Sequence, residues 1–353
     1  MPSTWKQGAM AIERLPDDGL DVAGFRTESL RLLRTLLSID AAFYASVDPA
    51  TMLFTSASAE GPLAAVAPQF LENEFGRVDV NKFADLARST DPIGSLDRST
   101  EGHRPSSARY REVISPLGLG DELRIALRSG GRCWGVLCLH REQGPLGFAE
   151  PELDLLRRLG PHLAEGLRRG IALYPGVPDA SPGGGPGIVI LGSDLSVISI
   201  NAQAEHWLAI LDTTDWDPRS ELPLSIYAAA AHAVRLDVQE DAPPPASRIR
   251  RARGGWISVH ASLLKGEDSG RVAVILDAAN SSQLSSLVLA AHGLTPAQNR
   301  VAALVIQGRS TGSIVDELHI SSNTVQEHLR AVFDKFGIGS RRELVEAVSG
   351  RPH

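Results

Sequence analysis

Apolar positions along the chain fall into a repeating series of helix and strand signatures. The helical period over Val22–Ile39 predicts a helix with Phe25, Leu30, Leu33 and Leu37 on its buried side and Arg26, Arg31 and Arg34 on its wet one. The unbroken apolar run 41–47, the turn Asp48–Thr51 and the run 53–57 predict a hairpin. Helical stretches near 68–75 and 81–87 follow, then strands near 123–128 and 132–140 separated by Ser129-Gly130-Gly131. A helix over about 151–170 closes the unit, with Leu153, Leu156, Leu159, Leu163 and Leu167 buried and Arg157, Arg158, Arg168 and Arg169 outside. Ahead of it, Pro2, Pro16 and Asp17-Asp18-Gly19 predict an irregular segment over 1–21.

The Pro/Gly-rich stretch 173–187 reads as a linker. Beyond it the pattern restarts. Ile188–Leu191 and Val197–Ile200 flank Gly192-Ser193-Asp194, a hairpin signal, and a helix begins at Asn201. Strands near 247–251, 256–264 and 271–276 follow, and 281–292 reads as a connecting helix. Two α+β units, 22–172 and 188–280, are therefore expected before the last segment, 293–353.

In that segment three helical stripes lie close together. Thr295 can cap the first, Pro296 suits its first position, and Gln298 completes a capping box; Val301, Leu304 and Val305 form its stripe and Gly308 ends it. Ser310 caps the second, which buries Ile314 and Leu318. After the short turn His319-Ile320-Ser321 comes a third, with Val325, Leu329, Val332, Phe333 and Phe336 in period and Gly337 as its stop. Two helices joined by so short a turn form a helix-turn-helix, whose second helix enters the DNA major groove. Its polar face carries Asn323, Gln326, Glu327 and Arg330. Gln can read adenine, Arg guanine, and Glu can accept from cytosine. Ser321, Ser322, Thr324, His328 and Lys335 suit phosphate contacts on the flanks.

Leu294-Thr295-Pro296, Gly308, Ile314, Leu318, Ile320-Ser321, Thr324-Val325, His328-Leu329, Lys335–Ile338 and Ser340-Arg341 together resemble the LuxR/GerE family of bacterial transcription regulators. The resemblance implies an all-α four-helix domain, with Gln326, Glu327 and Arg330 at base-reading positions. It also implies a fourth helix, near Arg342, Leu344, Val345 and Val348, that serves as a dimer contact. Gln298 stands where the family usually has Glu, Val315 where it usually has Ala, and Gly312 weakens the second helix by about 1 kcal/mol relative to Ala.

The strand Cys133–Leu139, followed by Gly147–Glu152 and a long helix, resembles a GAF domain, which implies a small molecule over the sheet or a dimer contact. The second unit, with its hairpin and Asn201-Ala202-Gln203-Ala204-Glu205, resembles a PAS domain. The implied fold class is multidomain, and an unidentified small molecule in the GAF-like or PAS-like pocket is the one ligand left open.

Charge changes this picture little. The net charge is −7, but seven Lys/Arg against six Asp/Glu from Ala291 onward leave the last segment at about +1. A weakly basic reader predicts modest non-specific affinity and reliance on dimerisation. The two cysteines, Cys133 and Cys138, are five apart in a strand, which predicts opposite faces and no shared disulfide or metal. His103, His140, His162, His206, His232 and His260 show no metal-ligand spacing, so no metal is assigned. Arg248, Arg250, Arg251 and Arg253 read as the wet face of a strand. Gly183-Gly184-Gly185 lacks the Lys-Ser/Thr of a phosphate loop, and Asp48-Pro49 reads as a turn. No nucleophile, base and orienting group come together in the pattern, so enzymatic activity is not expected. Lacking a signal-peptide core or a membrane-length apolar run, the chain is expected in the cytoplasm. The expected partners are double-stranded DNA, a second copy of the chain, and RNA polymerase. The competing reading is a ligand-binding or scaffold protein whose helix-turn-helix mediates dimer or partner contacts.

Overall fold

A computed structural model describes residues 3–144, 147–173, 185–211, 222–236, 246–251, 255–266, 269–279 and 281–349. The first domain opens with α1 (Ser3–Arg14) and α2 (Val22–Leu36), followed by β1 (Ala41–Val47) and β2 (Phe54–Ala59). Next come α3 (Ala67–Gly76), α4 (Phe83–Arg88), β3 (Ile93–Ser95) and the single turn α5 (Leu96–Ser99). The hairpin β4 (Leu119–Ser129) and β5 (Arg132–Glu142) and the long α6 (Glu150–Ala172) complete it. Its five strands are antiparallel, in the order β2-β1-β5-β4-β3.

The unbroken apolar runs of β1 and β5 reflect burial on both faces of this sheet. Tyr44, Leu123, Ile125, Leu137 and Leu139 pack with α2 and α6, while Phe43, Ala45, Val136 and Cys138 belong to the opposite core with α3 and α4. Asp21 caps α2 by accepting from the Gly24 amide at 2.8 Å.

The second domain repeats the strand order of the first. β6 (Gly187–Leu191), β7 (Val197–Ile200), β8 (Ala246–Arg250), β9 (Trp256–Leu263) and β10 (Val272–Ala278) form an antiparallel sheet ordered β7-β6-β10-β9-β8. Its helices are α7 (Ala202–Ala209), capped by Asn201, and α8 (Leu224–Leu236). α8 lies against β9 and reaches α3 and β2 of the first domain, where His232 meets Phe75 edge-on at 5.9 Å.

α9 (Ser281–Ala291) leads into α10 (Pro296–Ile306), α11 (Thr311–Leu318), α12 (Ser322–Phe336) and α13 (Arg341–Ser349). One apolar core runs from α1, α2 and α6 through Leu284, Leu287 and Val288 of α9 into Val301, Leu329 and Leu344. The fold is thus multidomain: a GAF-type α+β domain, a second antiparallel α+β domain, and a helical C-terminal domain. No helix among the described residues is long and apolar enough to cross a membrane.

Several expectations are corrected. Residues 3–14 are helical, not irregular: Ala9 and Ile12 are buried, and Gly8 lets the helix approach Leu36 so closely that a Cβ would sit 2.6 Å from Leu36 Cδ2. Pro16 follows this helix and so does not break it, and Pro2 lies outside the described residues. Arg26 is buried, not wet. Cys133 and Cys138 share a face because β5 bulges at Trp134, where Leu127 pairs with Gly135 and Arg128 with Cys133. Both remain free thiols. Arg248 and Arg250 face the first domain and pair with Asp48 and Asp21, the latter at 3.2 Å. Arg253 and most of the 173–187 linker lie outside the described residues.

Candidate nucleic-acid interface

Local chemistry sets each helix of the C-terminal domain. Thr295 and Gln298 close a reciprocal capping box, with the Gln298 amide donating to Thr295 Oγ1 at 3.3 Å and the Thr295 amide to Gln298 Oε1 at 3.0 Å. Ser310 caps α11 and Ser321 caps α12. Between them His319 takes the left-handed conformation, φ 53°, which ends α11 and turns the chain sharply into α12. Gly337 ends α12 in the same conformation.

This geometry buries Val325, Leu329 and Val332 and turns Asn323, Gln326, Glu327 and Arg330 to solvent. Asn323 Nδ2 donates to Glu327 Oε1 at 3.1 Å, so two of the four expected readers are already paired on the helix surface. Ser321 and Ser322 are exposed at the helix N-terminus, and Thr324 and His328 are half-buried. Ser321 Oγ also accepts the Thr324 amide at 3.1 Å.

Lys335 is exposed, yet its ammonium is engaged within the chain. Nζ donates to the Gly293 carbonyl at 2.7 Å and to Gln298 Oε1 at 2.9 Å. Of the residues expected on a dimer helix, Leu344 and Val348 are fully buried, since α13 packs against α9 and α10. Arg342 is exposed and pairs with Glu346 at 2.7 Å, and Val345 is half-buried. Leu344 and Val348 are therefore core positions within the chain itself.

The junction of α9 with this domain holds residues that sequence reasoning missed. His292 stacks on Phe336, and Arg168 of α6 donates to the Ala291 carbonyl. Burial pushes the His292 imidazole below its usual value. Arg168 is aimed by Glu165, which accepts from its Nε at 2.8 Å and from Arg169 Nε at 2.8 Å. Burial alone would raise the Glu165 carboxyl; the bonds from Arg168 and Arg169 outweigh it and bring it to about 2.

A second missed cluster lies on the face of the first sheet turned toward α3 and α4. Arg109 donates to Glu122 from Nε and Nη2 at 2.9 and 2.7 Å. Arg124 pairs with Glu74 at 2.5 Å, with its guanidinium over the rings of Phe83 and Phe70. Burial would raise the Glu122 carboxyl, but Arg109 and Arg124 hold it well below the carboxylate range. Burial lowers the Lys82 ammonium to about 8. The available signal was alternation: Glu122 and Arg124, and Cys138 and His140, sit two apart in otherwise apolar strands.

Two α+β domains fastened through one helix to a four-helix module whose third helix, α12, turns a polar face to solvent define a multidomain helix-turn-helix protein. Residues 292–348 match the family described as bacterial regulatory proteins, luxR family, and residues 27–167 match the GAF domain, so the chain carries a luxR-family domain at its C-terminal end and a GAF domain toward its N-terminal end. Over 58 residues, 16% of this chain, it is 41% identical to "Putative HTH-type transcriptional regulator Mb0914c" of Mycobacterium bovis and to "Putative HTH-type transcriptional regulator MT0914" of Mycobacterium tuberculosis. The match spans 7% of the length of these relatives.

Proposed function

We propose that this protein is a sequence-specific DNA-binding transcription regulator, acting as a homodimer in the cytoplasm, with RNA polymerase as a further partner. The observation that carries this reading is the solvent-facing row Asn323, Gln326, Glu327 and Arg330 on a helix whose opposite side is buried. The luxR-family match and the names of the mycobacterial relatives support it. Gln326 and Arg330 are the base readers; Ser321, Ser322, Thr324 and His328 lie where phosphates would flank the helix. The domain division is 22–172 for the GAF unit, 188–280 for a PAS-like unit and 293–353 for the reader, with 281–292 between them. The two sensor-type units modulate the reader through α9. Two-fold pairing implies half-sites about one helical turn apart.

Selection from random duplex DNA by the full-length protein at near-physiological salt tests this. Enrichment of a palindromic motif is expected. Failure to enrich any motif would overturn the reading in favour of a scaffold role.

A further inference from the structure

The buried cluster on the first sheet contains a triad that ion pairing alone does not account for. Cys138 and His140 lie two apart on β5, and Glu122 is the direct cross-strand partner of His140 on β4. All three side chains are fully buried. Cys138 Sγ lies 3.1 Å from Glu122 Oε1 and 3.1 Å from His140 Nε2, and Nε2 lies 4.0 Å from Oε1. Around a tetrahedral ion with bonds of about 2.0–2.3 Å, ligand atoms stand about 3.3–3.8 Å apart. The triad is close to that spacing with no rearrangement of the backbone.

We propose that Glu122, Cys138 and His140 form a binding site for one borderline divalent transition-metal ion of the Zn2+ class. One sulfur, one imidazole nitrogen and one carboxylate oxygen suit such an ion and not Mg2+ or Ca2+, which take oxygen ligands. Three ligands leave a fourth position for water or a small exogenous molecule. On binding, the Cys138 S–H bond breaks, the sulfur–metal bond forms, and the proton leaves to solvent. Glu122 Oε1 must give up its 3.1 Å contacts with Arg124 Nε and Arg109 Nε. Arg124 keeps Glu74 and the faces of Phe70 and Phe83, and Glu122 Oε2 stays anchored by Arg109. Glu74 also lines a cleft of about 800 Å³ between α3, α4 and α8, and Arg124 alone stands between Glu74 and Glu122.

Metal binding at this triad is independent of DNA reading, and its test reads the metal directly. The reduced, metal-stripped full-length chain is titrated with Co2+ under anaerobic conditions. One equivalent is expected to produce a thiolate-to-cobalt charge-transfer band and the visible ligand-field bands of a four-coordinate ion, with Zn2+ abolishing both. The chain has only two cysteines, so Cys133→Ser should keep the band and Cys138→Ser should lose it. The Cys133→Ser result identifies the ligand even if Cys138→Ser fails to fold. Absence of a charge-transfer band in the unmutated chain, its loss in Cys133→Ser, its survival in folded Cys138→Ser, or an endpoint well below one ion per chain would each overturn the site.

Discussion

The imidazole of His292 lies flat against the ring of Phe336, with ring centres 3.7 Å apart and planes 7° from parallel. One residue follows directly on α9; the other closes the last turn of the helix proposed to read DNA. The contact ties the entry of the reader to the exit of its recognition helix, and Lys335 reinforces it through Gly293.

Phe336→Ala should therefore loosen this junction selectively. The half-buried ring and its stack predict a cost of about 1–3 kcal/mol to the reader. Hydrogen exchange would show faster opening of α9 and of the end of α12, with β4 and β5 unchanged. Uniform protection in both regions would dissolve the link between the two helices.

Lys335→Ala should lower reader stability by about 0.5–1 kcal/mol through its two exposed hydrogen bonds. Because the ammonium is occupied within the chain, the slope of log affinity against log salt for DNA should stay unchanged. A slope smaller by about one would show that Lys335 leaves Gly293 and Gln298 for a phosphate.

Arg330→Ala is expected to cost about 1–3 kcal/mol in specific binding and to relax preference at one base position. Competition between the selected duplex and a scrambled one measures this. An unchanged ratio would remove Arg330 from the base-reading face.

Two glycines should respond in opposite senses to alanine. At Gly312 on α11 a Cβ would meet only Ser310 Oγ at 3.8 Å, so Gly312→Ala should stabilise the reader by up to about 1 kcal/mol. At Gly166 on α6 a Cβ would fall 1.9 Å from the buried Phe25 ring, so Gly166→Ala should destabilise by about 1–3 kcal/mol despite the better helix former. Thermal melts of the two variants give the comparison.

Glu165 gives an acid-side prediction. Its folded carboxyl lies at about 2 against an ordinary 4.5, so the unfolded chain takes up the proton first as pH falls. The stabilisation is complete above about pH 4.5 and is lost between there and about pH 2. In urea unfolding, the gap in midpoint between the unmutated protein and Glu165→Gln should shrink across that window. A gap that is constant with pH would mean that Arg168 and Arg169 do not depend on this charge.

The C-terminal domain was legible because its information is local. Thr295, Ser310 and Ser321 announce three helix starts within the next three residues, and Gly337 announces an end. What escaped depends on distant partners. Arg124 reaches Glu74 across 50 residues, and Arg168 reaches Ala291 across 123. Nothing near Arg26 in the chain distinguishes it from Arg31, yet one is buried and the other is exposed. α8 escaped for another reason: its run of alanines (Ala228 to Ala231) has no apolar stripe, because small residues pack on several sides. Leu344 and Val348 raise a different question. Their helical spacing was clear, but spacing does not say whether a neighbour in the same chain or a second copy covers the stripe.

α9 reads as a connector in sequence, but Leu284, Leu287 and Val288 give it core positions shared between α6 and the reader. Cutting the chain at residue 293 would strip apolar cover from Leu344 and Val348, whereas cutting ahead of Ser281 would carry that cover along. In packing terms the smallest unit that owns a complete reader core begins at α9, and any rearrangement of α6 is felt there as a change of neighbour.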